Sequence, residues 1–172
     1  MAHCPPFDSP DHDPVLAALA GLGIQHEIVA CDPALADTAE FCAHYGYSLD
    51  QSANAIVVKG KSEPPVFAMC LVLATTQADV NRTVRKRLGT KKASFASPDE
   101  TIALTGMQIG GVTPFALPPG VPVWVDAAVT ERDRVILGGG SRSIKVLCPP
   151  ATLLALPDVV CVDGLATPIP KG

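Results

Sequence analysis

The 172-residue chain has no apolar run long enough to cross a bilayer, no Cys-x-x-Cys pair and no excess of positive charge. Its longest apolar stretch, Val66 to Ala74, falls well short of the roughly 20 residues a spanning helix needs. The N-terminus shows neither a basic start nor an apolar signal core, so the sequence predicts a cytoplasmic protein without a membrane partner. Thirteen Lys and Arg against 17 Asp and Glu give a net charge of −4, which excludes a generally basic nucleic-acid coat. Any RNA contact must be local. The six cysteines, at positions 4, 31, 42, 70, 148 and 161, read as mostly buried thiols, since a chain of this length does not need a disulfide scaffold. His3, Cys4 and His12 lie close in sequence but read as part of a loose tail, so neither a metal nor another cofactor is expected.

The familiar phosphate and nucleophile motifs are missing too. Gly138 to Ser143 lacks the Lys of a Walker loop, and no Gly-x-Gly-x-x-Gly follows the first expected strand. There is no Gly-x-Ser-x-Gly elbow and no Cys with an identifiable His partner, so a covalent hydrolase has no residues to stand on.

What is present is a chain of alternating helix and strand signals without repeats or a linker. Residues 1–13 are polar and Pro-rich and read as a poorly ordered tail, and residues 14–172 read as a single α/β (α+β) domain. Asp13-Pro14 starts a helix ending at Gly21 or Gly23, and a strand follows over Ile24 to Ala30. Asp37 and Glu40 have the spacing of a capping box for a helix that Gly46 closes, and Ser48 and Gln51 repeat the device. Two β-rich runs, Asn54 to Lys59 and Val66 to Leu73, form a hairpin at the centre of the sheet. Asp79 to Leu88 predicts a helix ended by Gly89. Ser97-Pro98-Asp99-Glu100 caps a helix running to about Leu104, with Gly106 as its stop. Strands are expected at Val121 to Val125, Arg134 to Leu137, Ser143 to Leu147 and Val159 to Val162, with a helix at Pro150 to Leu154.

Three places carry the chemistry. Gly110-Gly111-Val112-Thr113-Pro114 sets two flexible residues beside a hydroxyl and a rigid proline, as a loop that lets backbone N–H groups approach a carbonyl or phosphate closely, or as a tight turn. A second glycine loop, Gly138 to Ser141, follows a strand end. The basic cluster Arg82, Arg85, Lys86 and Arg87 reads either as a solvated helix face or as a phosphate-backbone contact.

Taken in order, Thr38-Ala39-Glu40, Leu49 to Val58, Leu88-Gly89, Thr105 to Pro114, Val125-Asp126 and Gly138-Gly139-Gly140 resemble the YbaK family of aminoacyl-tRNA editing domains. That family includes the editing insertion of prolyl-tRNA synthetases and free-standing deacylases. The resemblance covers roughly residues 14 to 165, and its most specific element is Thr-Gly…Gly-Gly-x-x-Pro ahead of a strand ending in Asp. It implies a mixed, barrel-like sheet flanked by helices, with an aminoacyl ester held beside Gly110 to Pro114. Hydrolysis of that ester needs a placed water, oxyanion donors and a selective pocket, much of which backbone groups supply.

On this resemblance Gly110, Gly111 and Asn54 are the candidate catalytic residues. Thr113, Pro114, Asp126, Gly139, Gly140 and Ser141 are the candidate substrate-binding set, with Asp126 equally able to orient a loop through backbone N–H groups. Arg82, Arg85, Lys86, Arg142 and Lys145 are candidates for the tRNA, whose acceptor end is the expected partner, with an aminoacyl-tRNA synthetase as a further one. The chain departs from the family at Asn54, where a Lys is usual. Lys59 lies five residues along the same strand and faces the other side, so it is no simple replacement. Two functions follow: a free-standing deacylase for a small amino acid mischarged on tRNA, or a non-catalytic module that kept the fold and binds a nucleotide, an amino acid or a protein.

Overall fold

The computed structural model describes residues 13–23 and 25–169. The expected tail, including the His3, Cys4 and His12 cluster, lies outside the described residues except for Asp13, which opens helix α1, Asp13–Leu22. Strand β1, Glu27–Ala30, comes next, and α2, Thr38–Tyr45, ends at Gly46 with φ 80°, the left-handed turn a glycine adopts without strain. The central hairpin is β2, Ala53–Gly60, with β3, Val66–Leu73, in register from Ala53 opposite Leu73 to Gly60 opposite Val66.

Short strands β4, Thr76–Ala78, and β5, Ala93–Phe95, fall where the sequence offers too few residues for an alternation to register. The helix expected over Asp79 to Leu88 splits. Val80–Val84 winds as a π turn and only Arg85–Leu88, α3, is α-helical before Gly89 stops it. Helix α4, Pro98–Thr105, has its full capping box, Ser97 and Glu100 bonding each other's backbone. Strand β6, Val123–Asp126, leads into the short α5, Ala127–Thr130. Strands β7, Val135–Gly138, and β8, Ile144–Cys148, helix α6, Pro150–Leu154, and strands β9, Val159–Val162, and β10, Ala166–Pro168, complete the chain.

The strands form a five-stranded mixed sheet, β5-β2-β3-β6-β9, an antiparallel three-stranded sheet, β1-β8-β7, and the β10-β4 pair. A bridge between Ser52 and Ile136 joins the two larger sheets at the start of β2, giving the barrel-like arrangement with helices around it. Strand alternation then sorts the side chains. Ala53, Leu71, Leu73, Val123 and Val125 point to the inner core, where they meet Val135, Leu137, Val146, Phe115 and residues of α1 and α6. Val58, Cys70, Val72 and Trp124 point the other way, under the 80–88 segment. On the three-stranded sheet, Ile136 and Leu147 face outward and pack with Phe41 and Cys42 of α2. Among the described residues no helix is long and apolar enough to cross a membrane.

Candidate functional site

A cavity of about 290 Å³ opens at the seam between the sheets, beneath the start of α2. Its volume sits at the lower edge of the roughly 300–1,000 Å³ typical of ligand pockets. Asn54, Gly110 and Lys145 line it together, although they are scattered across 91 positions of sequence, with Asp37, Thr38 and Phe41 from α2 and its approach. Ala36, Ala53 and Ala55 give it small apolar walls.

Asn54 opens β2 at the rim, where its Oδ1 accepts a hydrogen bond from the Thr38 hydroxyl at 2.8 Å. The amide nitrogen of Asn54 has no partner among the described residues, leaving two N–H donors for a ligand. Lys59 is engaged elsewhere, 2.5 Å from Glu100 at the start of α4, and this pairing holds the Glu100 carboxyl below its usual range.

Lys145 is the cavity's only lining cation among the described residues. Alternation puts it on the same face of β8 as Leu147, toward α2, and it is 6% exposed. Its Nζ donates to the carbonyls of Ala36 at 2.7 Å and Gly110 at 2.8 Å, and lies 5.5 Å from the centre of the Phe41 ring. Burial lowers its pKa from the ordinary lysine value. The Arg142 guanidinium adds to that fall, whereas Cys31, Asp37 and Cys42 oppose it.

Arg142 clamps the same two segments from outside. Its Nε donates to the Pro33 carbonyl at 2.8 Å, and its Nη1 donates to the Ile109 carbonyl at 2.9 Å and to Asp37 at 3.1 Å. This corrects one local expectation: Asp37 makes no side-chain cap for α2, because its carboxylate is drawn to the guanidinium instead.

The two glycine loops are packed backbone on backbone. Gly140 donates to the Gly111 carbonyl at 2.6 Å, and Gln108 donates to the Gly140 carbonyl at 3.0 Å. A Cβ at Gly111 would run into the backbone of Ser141, and one at Gly138 into the carbonyl of Val112. Gly110 has φ +93° and no hydrogen-bond partner for its own N–H among the described residues. Gly139, Gly140 and Ser141 thus form the buried backing of the Gly110 loop and not the cavity surface.

Other sequence candidates lie apart from the cavity. Thr113 is fully buried and its hydroxyl has no partner among the described residues. Pro114 lines a separate apolar cavity of about 380 Å³ beside α1. Asp126 is buried at the end of β6; desolvation pushes its carboxyl up, opposed by the N–H groups of Ala166, Leu165, Ala127 and Ala128. Arg82, Arg85 and Lys86 lie on the segment covering the opposite face of the five-stranded sheet. Arg85 is partly spent on the Asn81 carbonyl at 2.9 Å, while Arg82 and Lys86 are exposed.

Sequence reasoning missed Asp37, Phe41 and Thr101 as cavity residues. The Thr38 signal was present only as a helix start, since neighbours across a sheet seam leave no trace in spacing. Burial raises the Cys42 thiol and pushes Cys70 and Cys148 up to about 12, so these thiols stay protonated at neutral pH and supply no nucleophile.

Residues 32–156 match the model of the aminoacyl-tRNA editing domain. The chain is 31% identical over 119 residues to the multifunctional Ser/Thr-tRNA deacylase ProXp-y of Escherichia coli, covering 67% of this chain and 71% of that protein. It is 24% identical over 129 residues to the uncharacterized protein YwhH of Bacillus subtilis, covering 75% and 80% respectively. A crystal structure of a putative trans-editing enzyme for prolyl-tRNA synthetase shares the fold, with a TM-score of 0.78, 24% identity, and 90% and 96% of the two chains covered. The matched segment runs from the approach to α2 through both glycine loops to α6, so the family match spans the whole cavity, and the chain belongs to the aminoacyl-tRNA editing domain family.

Proposed function

We propose that this chain is a free-standing aminoacyl-tRNA deacylase that hydrolyses the ester of a small amino acid mischarged on tRNA. The cavity carries the reading: it is small, walled by alanines, and has unspent donors from Asn54, Gly110 and Lys145 around one space. No His or Cys lines it among the described residues, so the nucleophile is water and the protein's part is placement and charge stabilisation. The aminoacyl end enters first, with its side chain against Ala36, Ala53 and Ala55. Larger side chains are excluded there by volume, at about 1–3 kcal/mol per methylene. The exposed Arg82 and Lys86 are proposed contacts for the tRNA backbone, and Arg142, bonded to the cavity-lining Asp37 and Ile109, for the terminal nucleotide.

The test is release of labelled amino acid from tRNAs charged with alanine, cysteine, serine or proline, by wild type and by Gly110→Ala. A Cβ at Gly110 meets the Arg142 guanidinium and sits at a φ that strains any side chain, so the guanidinium or the loop must shift. Turnover of a mischarged species that falls roughly 10–100-fold in the variant is expected. No turnover of any species at high protein concentration would overturn the reading in favour of a binding module.

A further inference from the structure

Lys145 has more positive charge than its surroundings use. An ammonium has three N–H donors, and two of these go to the neutral carbonyls of Ala36 and Gly110. The third has no partner among the described residues. Asp37, the only carboxylate lining the cavity among the described residues, accepts its hydrogen bond from Arg142 and not from Lys145. A cation 6% exposed without a bonded counter-charge carries a desolvation cost that an incoming negative oxygen would offset.

Depth decides which oxygen that is. Lys145 lines the cavity and bonds the Gly110 carbonyl, while Arg142, with its side chain 29% exposed, does not line it and bonds Asp37 and Ile109, which do. A chain end that enters terminus first brings its ester to the inner cation and leaves its phosphate near the outer one.

Resting on the deacylase reading above, we infer that Lys145 is a catalytic residue whose third N–H holds the ester carbonyl oxygen as it becomes negative. Water adds to the carbonyl carbon, and the C=O π pair moves onto the oxygen bonded to Lys145. Collapse restores the C=O and breaks the bond to the ribose oxygen, which takes the proton given up by the water. Lys145 stays protonated throughout. The substrate's α-ammonium, repelled by Lys145, turns toward Asp37. The cavity thus draws its cation from β8, while the start of β2 offers the uncharged Asn54.

The experiment uses the full chain and a non-hydrolysable amide analogue of the alanyl-adenosine terminus, with the mischarged tRNA panel as substrate. Lys145→Met is expected to bind the analogue about tenfold more weakly, with KM rising in step, and to lower kcat by a further factor of roughly 10²–10³. Moving the charge to β2, in Asn54→Lys/Lys145→Met, is expected to regain at least part of the loss, because Asn54 lines the same cavity; a purely structural lysine would not allow this. Equal binding by wild type and Lys145→Met overturns the inference. Should Lys145→Met fail to fold, the wild type alone decides: the Nζ resonance of Lys145 shifts on adding the analogue, and an unmoved resonance overturns the inference. Lys145-dependent binding without turnover by the wild type would sink the deacylase reading while keeping the contact with the carbonyl oxygen.

Discussion

Lys145 on β8 donates a 2.8 Å hydrogen bond to the carbonyl of Gly110, so the residue carrying the cavity's charge also anchors the loop beside it. Charge and loop position are therefore coupled in this site, and substitutions at either end report on both.

The lowered pKa of Lys145 gives opposite signs for activity and stability. The ammonium is the useful form, so kcat should fall as pH rises through a pKa below the ordinary lysine value. Stability moves the other way. Between the folded pKa and the unfolded value near 10.4 the unfolded chain binds the extra proton, so wild type gains stability with pH relative to Lys145→Met. Cys31, Cys42, Asp37 and Arg142 face the same group and are common to both proteins. Urea midpoints of the pair, measured at steps from neutral to alkaline pH, check the sign; a constant difference would contradict it.

Arg142→Lys keeps the charge and loses the fork that reaches Pro33, Asp37 and Ile109 together. A single ammonium cannot span three acceptors in that geometry. The expected result is a stability loss of about 1–2 kcal/mol and faster amide hydrogen exchange across residues 108–112. Unchanged exchange there would mean that the loop is held by its backbone bonds to Gly140 alone.

Thr113→Val separates a substrate contact from a buried orphan. The hydroxyl is fully buried without a partner among the described residues, so replacing it with a methyl of similar shape should leave stability unchanged or raise it by about 1–2 kcal/mol. Deacylation should be unaltered. A fall in activity without loss of stability would instead put the hydroxyl on the substrate.

Arg82→Glu/Lys86→Glu tests the basic segment, which lies away from the cavity. Affinity for whole tRNA should weaken and its salt dependence flatten by about two phosphate contacts, with binding of the small amide analogue unaffected. Equal salt slopes for the variant and the wild type would show these side chains to be a solvated face.

Most of the fold was legible because its signals are local. Ser97 with Glu100, Gly46, Gly89 and the Gly60 to Pro65 connection each act within a few residues, and the α4 cap, both left-handed glycines and the β2–β3 hairpin all appear where these residues place them. Where a local signal met a distant competitor it failed: Asp37 has the spacing of an N-cap, and Arg142, 105 positions away, takes its carboxylate. The two glycine loops were legible as loops, but their backbone-to-backbone packing was not.

By itself the sequence determined the strand and helix order, the glycine loops that permit close backbone approach, and the absence of a lysine at position 54. Those properties follow from backbone conformational preferences and side-chain identity at single positions. Only the tertiary structure decided that Lys145 meets Asn54 in one cavity while Thr113, Pro114 and Asp126 do not line it. The physical reason is the joining of two sheets at Ser52 and Ile136, which selects the faces that share a space and leaves no periodic mark along the chain.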